Sequence, residues 1–199
     1  ITIIRDTIDD PSVMVIDVPD TNYGRIRISQ FTAQTSRELR QGVQKLIDNG
    51  SEGIILDLRG NPGGLLSATV DVASEFLTDG LVTYEVDSRG KKDEWKVKKG
   101  GKFPKIPMVT LVDNFSASGS EVLAGALQDQ GRSVVIGTNT FGKGSVNLLR
   151  GLSNGGGVYL TIGRWFTPNG RLIEDVGVEP DVIVEFDEEA LAANPQTNE

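Results

Sequence analysis

No histidine and no cysteine occurs anywhere in these 199 residues. Absence of cysteine excludes disulfides and thiol chemistry and leaves the redox compartment open. Without either residue a zinc site lacks its usual ligands, and only an oxygen-ligand magnesium or calcium site stays conceivable. No metal or cofactor is expected. A serine nucleophile in this chain would have to give its proton to something other than imidazole. Positive charge is also short, with 20 Lys and Arg against 28 Asp and Glu and a net charge of −8. That balance repels phosphates and argues against general binding to nucleic acid or anionic membrane. No apolar run approaches the length of a membrane span, and no signal peptide is visible. The chain opens on Ile1 rather than methionine, so a processed product or an excised domain is expected.

What is present is ordinary for a globular domain: 38% hydrophobic and 24% charged residues, in a length that suits one domain with a proper core. Strands and helices alternate. "VMVIDV" (13–18) and "GRIRISQF" (24–31) read as strands. "TSRELRQGVQKLIDNG" reads as a helix, with Thr35 and Glu38 as a capping box, Leu39, Val43, Leu46 and Ile47 at helical spacing, and Gly50 as a stop. "GIILDLRG" (53–60) and "MVTLVDN" (108–114) are continuous apolar runs of the kind found in strands buried on both faces. Helices are expected over 65–80 and from "SGSEVLAGALQDQG", a polar hairpin or loop over 81–105, and a strand over 133–139. Beyond that the pattern turns β-like, through "VNLLRGL", "VYLTIGRWF" and "DVIVEF". Repeated strand–helix units predict a largely parallel sheet covered by helices. Residues 1–186 form the expected domain; the acidic tail 187–199 is expected to fray.

Three glycine-rich loops follow predicted strands: "RGNPGG" (59–64), "NFSASGSE" (114–121) and "GTNTFGKGS" (137–145). Ligands of α/β sheets sit where such loops converge, at the carboxyl ends of strands. Ser118 begins a helix with Glu121 three residues on, so a plain N-cap accounts for it on spacing alone. A serine there also has helix N–H groups beside it, which suit a developing oxyanion. Gly119 allows close approach to that N–H, and the "NPGG" glycines can turn a second amide inward. Lys143 is the strongest candidate base. It is flanked by Gly142, Gly144, Phe141 and Val146, with no acidic residue within seven positions on either side. Burial without a counter-ion favours the neutral amine, the form that can take a proton. A rival reading uses the same lysine: Gly137 to Lys143 spells G-x-x-x-x-G-K, a near phosphate-binding loop. It has Gly144 where a magnesium-binding hydroxyl belongs, and strand rather than helix after it. The basic stretch 89–105, with Trp95 and Phe103 among its lysines, could suggest single-stranded nucleic acid; a solvated hairpin fits the overall charge better.

"IILDLRGNPGGLL", "SASGSEVLAGALQD", "IGTNTFGKGSV" and "GVEPD", in this order, resemble the C-terminal processing peptidases, the tail-specific proteases of serine peptidase family S41. "YGRIRISQF" and "ITIIRDTI" fit as well, so the resemblance covers about residues 1–186. It implies a ClpP/crotonase-type α/β core with an added β-rich C-terminal part. It also implies a Ser–Lys dyad, with Ser118 as nucleophile, Lys143 as general base, and Ser116 and Ser120 structural. Gly119 and Gly64 would offer the oxyanion N–H groups. Family members carry a glutamine four residues after the lysine to position it; here Asn147 stands there, one methylene shorter. The resemblance further implies protein substrates with accessible C-termini, an extracytoplasmic or lumenal location, and a PDZ domain upstream. These residues hold no PDZ-like segment, so a protease core apart from its recognition module is expected. An inactive peptide-binding scaffold is the alternative to the enzyme, and oligomeric state is left open.

Overall fold

A computed structural model of the chain describes residues 11–184. The expected "ITIIRDTI" match, the end of "DVIVEF" and the tail lie outside the described residues. The chain runs β1 (Val13–Asp17), β2 (Tyr23–Ile28), α1 (Thr35–Asp48), β3 (Gly53–Asp57), α2 (Leu66–Phe76), β4 (Leu81–Asp87) and β5 (Lys92–Lys96). It continues through β6 (Met108–Val112), α3 (Gly119–Asp129), β7 (Val134–Gly137), β8 (Ser145–Gly151), β9 (Gly157–Phe166) and β10 (Val182–Ile183).

These elements make two sheets. One has six strands in the order β1-β2-β3-β6-β7-β10 and is parallel throughout except for the β1–β2 pair. The other has four antiparallel strands in the order β5-β4-β9-β8. The parallel sheet follows from the strand–helix alternation, because a crossover helix returns the chain to start the next strand in the same direction. Alternate residues Ile26, Ile28, Leu56, Val112 and Val135 are fully buried in the core with Leu39, Val43 and Leu46 of α1 and Leu123 and Leu127 of α3. Helix α3 packs against β7 of one sheet and β4 of the other and so bridges the two. The α/β expectation holds, with mixed sheets.

One expectation is corrected and another is extended. Thr35 and Glu38 do not form a capping box: Gln34 is the N-cap residue and gives no side-chain cap bond. The Thr35 hydroxyl instead bonds Ser12 Oγ at 2.7 Å, and Glu38 accepts the Ser12 N–H at 2.9 Å, so the pair ties the start of β1 to the helix. The 81–105 segment is a true hairpin, yet it is no isolated one. Strand β4 pairs with β9 across some eighty residues of sequence, Trp95 packs edge-on against Trp165 at 4.9 Å, and Phe103 is buried. Phe103 is in the core and Trp95 is half-buried against it, so neither is a free stacking platform of the kind a single-stranded nucleic acid would need.

Candidate active site

The three glycine-rich loops are knitted together by buried polar groups. Asp57 ends β3, fully buried, and Arg59 donates to its two oxygens at 2.9 and 2.8 Å. Burial pushes the Asp57 carboxyl up, but the hydrogen bonds and charge of Arg59, with the charge of Arg27, outweigh it and hold the group below its ordinary value. A lowered folded pKa contributes stability that is present above the unfolded value of about 3.9 and is lost as pH falls through the folded one. The difference in melting temperature between wild type and Asp57→Asn should therefore be constant near neutrality and shrink below about pH 4. A gap that persisted unchanged into strong acid would mean that Asp57 contributes nothing through its charge.

Downstream, buried Asn61 donates to the Ile28 carbonyl at 2.9 Å and accepts the Gly63 N–H at 2.8 Å. Its own carbonyl receives the Ala117 N–H at 3.0 Å and the Ser120 hydroxyl at 2.9 Å. Ser116 donates its hydroxyl to the Leu58 carbonyl at 2.9 Å, and its carbonyl accepts the Phe141 N–H at 3.0 Å. Ser116 and Ser120 are thus buried and committed to the scaffold. Ser118 differs.

Ser118 is the N-cap residue of α3, but with φ 54° and ψ −112°, not the extended backbone of an ordinary cap. Positive φ in a non-glycine residue is strained, and such strain gathers at functional sites. The chain thus turns sharply into the helix at Ser118, and Glu121 accepts the Ser118 N–H in the capping box that the spacing suggested. The neighbouring glycines make room for it. A Cβ at Gly63, where φ is +100°, would lie 2.8 Å from Ser118 Cβ and from the Gly119 nitrogen. Gly64, at φ +148°, lies so close to Phe31 that a Cβ would meet its carbonyl oxygen. Neither the Gly64 nor the Gly119 N–H has a backbone partner among the described residues, so both donors are free to serve an oxyanion.

Lys143 comes to the same place. A cavity of about 280 Å³ is lined by Gly64, Ser118, Gly119 and Lys143, with Asn147 and Tyr159 on one wall and Leu66, Val122, Val146 and Trp165 giving it an apolar lining. Glu121, which the sequence suggests only as a helix cap, is the residue that joins Ser118 and Lys143. Fully buried, it accepts the Ser118 N–H (2.7 Å) and the Lys143 N–H (2.9 Å) on Oε2. On Oε1 it accepts the Thr140 hydroxyl (2.7 Å) and the Gly142 N–H (2.6 Å). One carboxylate therefore fixes the backbone on both sides of the cavity. Its spacing three residues after Ser118 was the available signal; its reach across to residues 140–143 was not readable.

Two expectations about the base change. Lys143 is exposed rather than buried, because it stands on the rim of the cavity with its backbone, not its side chain, anchored by Glu121. Among the described residues its Nζ forms no hydrogen bond or ion pair, to Ser118 or to any carboxylate. The orienting contact expected from Asn147 is not formed either. Its Nδ2 donates to Ser145 Oγ at 3.1 Å and its Oδ1 accepts the Thr161 hydroxyl at 2.8 Å; with one methylene fewer than glutamine, the amide bonds to near neighbours. After Lys143 the chain enters β8, so no helix N-terminus faces a phosphate, and the phosphate-loop reading lacks its geometry.

The sequence profile described as peptidase family S41 matches residues 22–184. This chain belongs to that family. A carboxyl-terminal-processing protease of Synechocystis is 40% identical over 167 residues, covering 84% of this chain and 39% of that protein. A chloroplastic C-terminal processing peptidase of Tetradesmus obliquus is 39% identical over 168 residues, covering 84% of this chain and 36% of that one. The solved photosystem II D1 C-terminal processing protease superposes with a TM-score of 0.77 at 38% identity, over 82% of this chain and 42% of that structure. The chain thus spans about two fifths of the length of these relatives. Among the described residues no helix is long and apolar enough to cross a membrane.

Proposed function

We propose that this chain is the catalytic core of a serine endopeptidase that cleaves near the C-termini of protein substrates by acyl transfer, on a fold of the ClpP/crotonase type. Ser118 Oγ attacks the scissile carbonyl while the neutral amine of Lys143 takes its proton. The carbonyl oxygen, now carrying negative charge, lies between the Gly64 and Gly119 N–H groups. As the tetrahedral intermediate collapses, the C–N bond breaks and the Lys143 ammonium returns the proton to the leaving amine. The Lys143 amine, neutral again, then takes a proton from a water that attacks the ester, and returns it to Ser118 Oγ as the acyl–oxygen bond breaks. The observation carrying this reading is the strained Ser118 backbone with two free glycine N–H donors, of Gly64 and Gly119, in one cavity that Lys143 also lines. A fluorophosphonate should form one covalent adduct, mapped by peptide mass spectrometry to Ser118. An adduct elsewhere, or none at all, would remove Ser118 as the nucleophile and leave the peptide-binding scaffold as the better reading.

In the whole protein we assign capture of the substrate C-terminus to a PDZ domain outside this chain, in an extracytoplasmic or lumenal compartment. The two-fifths coverage of the relatives and the chloroplastic relative support this. Remote binding energy positions a substrate for reaction. The core alone should therefore cleave unstructured peptides slowly, with rates within about two-fold for a free C-terminal carboxylate and its amide. Strong discrimination between the two would place carboxylate recognition inside residues 1–199.

A further inference from the structure

Strand β8 is the outer strand of its sheet, and it leaves the cavity directly after Lys143. At the hairpin turn the Leu152 N–H donates to the Gly156 carbonyl at 2.8 Å. Hydrogen-bonded pairs alternate along an antiparallel ladder, so in the register of β8 on β9 Arg150–Val158 and Leu148–Leu160 exchange bonds, whereas Asn147–Thr161 and Leu149–Tyr159 do not. The backbone N–H and C=O of Asn147 and Leu149 consequently point away from β9, toward an edge that no described residue pairs with. Natural edges of this kind are blunted by proline, lysine or a covering segment; between Ser145 and Gly151 there is only Arg150. On the face of the hairpin shared with Asn147, Leu149 and Tyr159 form a cross-strand pair, 69% and 67% exposed. Tyr159 and Asn147 both line the cavity that holds Ser118. An unpaired strand edge, an exposed apolar pair and the nucleophile are thus continuous.

We infer that the free edge of β8 is the substrate-binding strand: an extended peptide pairs its backbone with Asn147 and Leu149 and sets an apolar side chain on the Leu149–Tyr159 platform. Main-chain pairing of this type accepts any unfolded segment, and side-chain selection enters only at alternate residues. A peptide residue beside Leu149 and one beside Asn147 are two positions apart, about 6.7 Å along the strand. Selectivity for an apolar residue should therefore appear at one position, two residues from the residue aligned with Asn147, while its neighbour is unrestricted. The occupant is an unstructured peptide rather than a second folded protein, because the edge leads into a cavity that must admit a scissile bond.

The inference rests on the Ser118–Lys143 reading, and the experiment separates the two. The Leu149 N–H takes no part in the β8–β9 ladder, so Leu149→Pro removes one donor from the free edge and none from the hairpin. In the intact protein Leu149→Pro should raise KM for an unstructured peptide about ten-fold, the equivalent of one lost hydrogen bond to the substrate. Fluorophosphonate labelling of Ser118 should continue at the wild-type rate. Leu149→Ala should raise KM only for peptides with an apolar residue at the selected position. Leu160→Ala, on the opposite face of the hairpin, should leave KM unchanged. A scan of peptides carrying a single N-methyl group supplies a second readout that needs no variant: methylation at the aligned residue should weaken binding to wild type by a similar factor. Wild-type KM for Leu149→Pro with labelling intact, or a flat N-methyl scan, overturns the inference. Failure of Ser118 to label in the wild-type protein would instead overturn the reading beneath it.

Discussion

Lys143→Met and Lys143→Arg should each lower peptide cleavage by at least about a thousand-fold, as expected for removal of a general base. The two substitutions act differently. Methionine keeps the length of the side chain but has no basic nitrogen. Arginine keeps the positive charge, but its guanidinium does not release a proton under these conditions. A lysine that served only as a fixed charge would be replaced by arginine with activity retained. Because the Lys143 side chain is exposed and its Nζ has no partner among the described residues, neither change removes a native contact. Melting temperatures of both variants should stay within about 2 °C of wild type. Cleavage assays and thermal melts on the same preparations check both halves. Substantial activity in the arginine variant would end the general-base role, and marked destabilisation of the methionine variant would reveal a structural partner for the ammonium.

Glu121→Gln should be the most damaging substitution to both stability and activity that leaves Ser118 and Lys143 in place. The wild-type carboxylate accepts four donors, from Ser118, Thr140, Gly142 and Lys143. An amide of the same shape turns an NH2 toward two of them. Leaving buried donors unsatisfied costs about 1–3 kcal/mol each, so a loss of roughly 3 kcal/mol or more is expected by denaturant unfolding. The same change frees the backbone at Ser118 and at Lys143, which sit on different loops. Misplacement of reacting groups by about 1 Å can cost a hundred-fold in kcat, and that is the loss expected for the folded fraction of the variant. A Glu121→Gln protein with wild-type stability would mean that the carboxylate is not the clamp between the two loops.

Much of the fold could be read locally. Short apolar runs before Gly-rich loops gave β3, β6 and β7 within three residues at each end, and the three loops do converge, because successive parallel strands carry their carboxyl ends to one side of the sheet. Ser118 stood out as a candidate because a helix start, a cap spacing and Gly119 coincide there, although a plain N-cap accounts for the same spacing. The second sheet was less so. Strand β4 finds β9 far along the chain, and nothing in either segment names its partner. The exposure of Lys143 was misjudged for a related reason. Its sequence neighbours are glycines and Phe141, but Phe141 is itself 65% exposed and turns no apolar cover over the lysine. Thr35 and Glu38 carry the spacing of a capping box, yet Ser12, just before β1, competes successfully for both side chains. Local pattern indicates which groups are available; tertiary neighbours decide which bonds they make.

The exposed, unpartnered Lys143 makes one measurement decisive. Catalytic hydrogen bonds often form only in the reacting complex, so the dyad must close when substrate is held in the cavity. A crystal structure of the protein with a peptide boronate would show it. The expected result is a covalent bond from Ser118 Oγ to boron, a boronate oxygen between the Gly64 and Gly119 nitrogens, and Lys143 Nζ at about 3 Å from Ser118 Oγ. A boronate bound in the cavity with Ser118 unmodified, or with Lys143 still turned to solvent, would contradict the Ser118–Lys143 mechanism.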